Sequence, residues 1–103
     1  MNDDANGSHV KSVDHTALGR AVRIMRATRG LSQEELGARA DLHRNYIGAI
    51  ERGEINPTFR VLLKLERGLQ MPLSELIAKY EELALSDLAL APRLRRTGAS
   101  YSK

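Results

Sequence analysis

The chain has 103 residues, 42% of them apolar but with one Phe, three Tyr, no Trp and no Cys, and its net charge is +3. That length holds one compact domain with tails. A core of Leu, Ile, Val, Ala and Met favours helices, and the lack of cysteine excludes disulfide frameworks, thiolate zinc sites and cysteine nucleophiles.

Basic residues collect between residues 16 and 80 and again at the end of the chain, around Arg93, Arg95 and Arg96. A face meeting a polyanion produces this pattern, and so does an ordinary solvated surface. No apolar run approaches the roughly 20 residues needed to span a bilayer. Met1 to Asp14 is polar and acidic, unlike a secretory signal, so a cytoplasmic location without membrane contact is expected. The three histidines are His9, His15 and His43. They form no catalytic constellation or metal-ligand spacing, so neither enzyme activity nor a metal or cofactor is expected.

In chain order, the first residues lack apolar periodicity and read as a disordered arm. Asp14 or Thr16 is positioned to cap a first helix that runs to about Arg29, with Leu18, Ala21, Val22 and Met25 on one stripe and Gly30 as its left-handed stop. Ser32 and Glu35 have the spacing of a capping box for a short second helix from about Gln33 to Ala40. After a turn around Asp41-Leu42, a third helix from about Arg44 to Arg52 places Ile47 and Ile50 inside and ends at Gly53. Turn chemistry over Glu54 to Thr58 precedes a fourth helix carrying Val61, Leu62, Leu65 and Leu69. Pro72 breaks the pattern, and Leu73, Leu76, Ile77, Tyr80 and Leu83 form a fifth helix with a wide apolar face. Residues Ala84 to Ala91 either extend it or add a sixth helix.

The expected fold is all-α, a five-helix bundle containing a helix-turn-helix, with a short extra C-terminal helix as a variant. Residues 1–14 form the arm, 15–83 the folded domain with its dimerisation helix, and 84–103 a C-terminal extension and basic tail.

Two helices joined by so short a turn suit one helix crossing a DNA backbone while the next enters the major groove. The ordered series Gly30-Leu31-Ser32-Gln33-Glu34-Glu35-Leu36, Tyr46-Ile47, Ile50-Glu51-Arg52-Gly53 and Asn56-Pro57-Thr58 resembles the phage repressor and Cro type of helix-turn-helix domain. It is especially similar to the small controller proteins of restriction–modification systems. The likeness covers about residues 16–80. Asp41 and Gln70 stand where glycine is usual, and His43 stands where a Ser or Thr often caps the recognition helix.

The resemblance implies a transcriptional regulator that binds double-stranded DNA as a homodimer on a pseudo-palindromic operator. It assigns Gln33 to a phosphate, where a solvated polar residue is the plainer alternative. Arg44 and Asn45 fall at base-reading positions, with guanine and adenine as their chemical matches, although Arg44 also suits a phosphate. Ala49 offers a methyl contact, and His43 and Tyr46 are phosphate partners. Arg52 and Arg60 clamp the backbone or are surface arginines. Arg26 and Glu51 form a structural ion pair. Leu73, Leu76, Ile77, Tyr80 and Leu83 serve the core, a dimer interface or both. RNA polymerase and a toxin are the candidate protein partners. The toxin belongs to the alternative reading, an antitoxin or interaction module in which Leu83 to Leu90 is the partner helix.

Overall fold

The computed structural model describes residues 12–88. Within them are five helices and no strand: α1 (Val13–Thr28), α2 (Gln33–Ala40), α3 (Arg44–Glu51), α4 (Phe59–Leu69) and α5 (Leu73–Leu88). Most of the expected arm and the basic tail lie outside the described residues.

α1 begins earlier than the sequence suggests. Its N-cap is Ser12, whose hydroxyl accepts the His15 backbone N–H at 2.9 Å. Both expected caps are occupied elsewhere: the Asp14 carboxylate accepts a hydrogen bond from the Tyr80 hydroxyl at 2.7 Å, and Thr16 packs against Gly53. α2 has the full capping box, with Ser32 Oγ accepting from the Glu35 N–H and Glu35 Oε1 accepting from the Ser32 N–H. The hydrogen bond from the Ser32 backbone N–H, followed by the interaction with the Ser32 hydroxyl, holds the Glu35 carboxyl below its ordinary pKa. Thr58 caps α4 through its side chain. α5 has a cap from outside the helix, Glu66 Oε2, which accepts the Leu73 N–H at 2.9 Å and satisfies a donor that the helix itself leaves unpaired.

α1 packs along α5 and crosses α3, while α2 lies against α3 and α4. The α1–α3 crossing is close: a Cβ at Gly19 would lie 2.3 Å from the Ile50 carbonyl oxygen. Only glycine lets the two backbones meet there. Val22, Leu36, Ile47, Ile50, Leu65, Leu69 and Leu76 are fully or almost fully buried at the centre.

Leu76 is 0% exposed. It therefore belongs to the protomer's own core, which corrects its assignment to a dimer interface. Leu73, Tyr80 and Leu83 are partly buried against that core. α5 also continues past Leu83 without a break, and Ala84 is buried. The expected boundary at 83/84 thus falls inside a helix, and no sixth helix begins there. No helix among the described residues is long and apolar enough to cross a membrane.

Candidate nucleic-acid interface

α2 and α3 are joined by Asp41, Leu42 and His43. Asp41 takes a left-handed conformation, φ 58°, and its carbonyl oxygen accepts from Lys64 Nζ at 3.4 Å. Asp reaches this region at lower cost than most side chains, which is how the turn forms without glycine. The Leu42 N–H returns to the Gly37 carbonyl at 2.8 Å, closing the end of α2. His43 is the N-cap of α3: its Nδ1 accepts the Asn45 backbone N–H at 2.9 Å. An accepting Nδ1 carries no proton, so a neutral His43 bears its hydrogen on Nε2 as a donor.

α3 buries Ile47 and Ile50 and exposes the opposite side. His43, Arg44 and Asn45 are exposed at its start, Tyr46 and Ala49 are half-buried, and Arg52 is exposed at its end. Arg60, in the first turn of α4, is exposed as well. Arg44 and Arg52 each have a carboxylate neighbour. Arg44 Nη1 lies 3.6 Å from Glu34 Oε1, an open contact between exposed side chains. Arg52 and Glu54 make two hydrogen bonds, at 2.9 and 3.2 Å, which raise the Arg52 pKa further above its ordinary value.

Behind this face, Glu51 joins three elements. Arg26 on α1 donates from Nε and Nη2 to its two oxygens at 2.6 and 3.0 Å, and from Nη1 to the Leu31 carbonyl at 2.9 Å. Gln33, the first residue of α2, donates from Nε2 to Glu51 Oε1 at 3.0 Å. The hydrogen bond to Glu51 raises the Arg26 pKa, against the opposing pull of desolvation. Gln33 is thus neither merely solvated nor wholly free for an outside ligand. This link joins residues 18 apart and had no local signal in the sequence. The Arg52–Glu54 pair had no helical signal either, because its i,i+2 spacing across a helix end is not the i,i+3 or i,i+4 spacing of helix-surface pairs.

A short second helix set across an exposed third, with a three-residue turn between them, defines a helix-turn-helix domain. A family model described as helix-turn-helix matches residues 22–76, and the chain belongs to that family of DNA-binding transcription regulators. Control protein C.SmaI from Serratia marcescens is 39% identical over 62 residues, which cover 60% of this chain and 74% of that protein. The crystal structure of the restriction–modification controller protein C.AhdI from Aeromonas hydrophila is similar with a TM-score of 0.62 at 37% identity, covering 63% of this chain and 98% of that one. The clp gene regulator ClgR from Corynebacterium glutamicum matches 90% of this chain and 99% of its own with a TM-score of 0.72. At 20% identity that likeness concerns the fold alone. The resemblance read from the residues is established at the level of the family and of its controller proteins.

Proposed function

We propose that the chain is a sequence-specific regulator that binds a pseudo-palindromic operator as a homodimer, with α3 of each protomer in the major groove. The observation that carries this reading is the exposed start of α3, where Arg44 and Asn45 stand side by side in front of a rigid two-helix support. Arg44 suits two hydrogen bonds to a guanine edge and Asn45 two to an adenine edge, and Ala49 offers a methyl group to thymine. Gln33, His43, Tyr46, Arg52 and Arg60 surround them as backbone partners, which fix register and carry no sequence information directly. The similarity to one protein named as a control protein and another named as a restriction–modification controller protein supports a regulatory role.

A second protomer seats on α5 in this reading. Ile77 remains half-exposed and lines an open groove with Asp14, His15, Leu18, Asn56 and Tyr80. With the outer parts of Leu73, Tyr80 and Leu83 it makes an apolar strip that a two-fold partner would cover.

Selection of bound sequences from a random duplex pool, using the full chain, tests the proposal. The expected product is an inverted repeat with half-site centres about 34–36 Å apart, or a multiple of that, bound by two chains. A pool that enriches nothing, or only isolated half-sites, would contradict it.

A further inference from the structure

We infer that Glu54 is a positioning residue for DNA binding, holding the Arg52 guanidinium by one edge so that its other edge is presented to a backbone phosphate. The inference rests on the proposed reading of α3 as the DNA-facing helix. Glu54 accepts from Arg52 Nε at 2.9 Å through Oε2 and from Nη2 at 3.2 Å through Oε1. These bonds use two of the five guanidinium N–H groups and occupy the Nε–Nη2 edge. The Nη1–Nη2 edge points away from the carboxylate and has the fork geometry that matches two phosphate oxygens.

Three further features hold the arrangement. Glu54 is tied to α3 through its backbone, because its N–H donates to the Ala49 carbonyl at 3.0 Å. The alternative acidic partner, Glu51, is already committed to Arg26 and Gln33. The Arg52 guanidinium also lies close to Gly48, one helical turn back: a Cβ there would stand 3.0 Å from Arg52 Nη1, and 3.6 Å from Gln33 Oε1. The missing Cβ thus lets Arg52 settle on the face of α3 beside the first residue of α2. Held this way, the side chain gives up its rotamer freedom before DNA arrives, and less is lost on binding.

This role predicts the opposite sign from simple electrostatics. A carboxylate near DNA repels phosphate, so removing its charge should by itself tighten binding to every sequence. If Glu54 positions Arg52, Glu54→Gln should instead weaken binding by about three- to tenfold, the range of one lost hydrogen-bonded contact. The salt dependence should become shallower by up to about one phosphate's worth. In an Arg52→Ala background only the charge effect remains, and the same substitution should tighten binding. Gly48→Ala, whose Cβ crowds Nη1 by a few tenths of an ångström, should weaken binding in the parent chain more than in the Arg52→Ala background. Both side chains of the pair are well exposed, so thermal melting should stay unchanged.

The experiment is a salt titration of these variants of the full chain on the selected operator duplex and on an unrelated duplex of equal length. Tightening by Glu54→Gln in the parent chain, or a change of the same sign in both backgrounds, would overturn the positioning role. Failure of the unaltered chain to select any duplex would instead overturn the regulator reading, so the two failures are distinct.

Discussion

At 3% side-chain exposure Glu51 is the most enclosed charged group of any ion pair described, and its partner Arg26 is 16% exposed. Removing one member of such a pair leaves the other desolvated without compensation, at a cost of about 3 kcal/mol. Glu51→Ala also takes the acceptor from Gln33. The expected outcome is a melting temperature lower by roughly 10 °C or more, with the base preference of the bound DNA unchanged, because neither Arg26 nor Glu51 faces the exposed side of α3. An unaltered melting curve would show that the pair contributes nothing. By contrast Glu34, 75% exposed beside Arg44 at 3.6 Å, makes a contact of little energetic weight. The difference between these pairs was not legible from residue types. Arg26 and Glu51 are 25 positions apart, and only the family resemblance put them together. Burial, which gives the contact its weight, arises from α1 crossing α3 at Gly19.

The helical stripes were plain in the sequence because each depends on nearest turns alone: Val22 and Met25, Ile47 and Ile50, Leu65 and Leu69 all reach the core. The α2 cap was equally plain, since Ser32 and Glu35 complete it between themselves. The start of α1 was not. Ser12, Asp14 and Thr16 are all competent caps within five positions, and the choice among them is made by tertiary partners, Tyr80 taking Asp14 and Gly53 meeting Thr16. The hydrogen bond to Asp14, with burial and the nearby carboxylates in support, pushes the Tyr80 phenol up to about 12. A raised phenol pKa means that the folded state favours the neutral form. The tie between α1 and α5 is therefore fully present below the ordinary tyrosine value of about 10 and is lost as pH rises through about 12. Tyrosinate absorbance of the parent chain minus that of Tyr80→Phe should show a midpoint near 12, moving back toward about 10 in Asp14→Asn. A midpoint near 10 in the parent would mean that the tie does not persist in solution.

At the scale of the whole molecule, periodicity shows that a helix face is apolar but not which chain covers it. Leu73, Leu76, Ile77, Tyr80 and Leu83 make one stripe in sequence, yet Leu76 at its centre is sealed in the protomer core while Ile77 beside it looks out. The two positions should respond differently to charge. Leu76→Glu buries an unpaired carboxylate, at a cost comparable to the whole stability of a small domain, and should leave the chain unfolded by circular dichroism. Ile77→Glu should leave a folded chain that sediments as a monomer and binds the operator much more weakly. A folded Ile77→Glu dimer would place the interface elsewhere. The central claim, that α3 reads bases from its first turn, is tested most directly by the affinity of Arg44→Ala for the selected operator and for each of its single-base variants, at one fixed salt concentration. The expected result is a loss of roughly 1–3 kcal/mol on the preferred site and much less on sites already changed at the base Arg44 reads, so that discrimination at that base collapses. Equal weakening on every sequence would contradict it, making Arg44 a phosphate contact and leaving base reading at the start of α3 to Asn45.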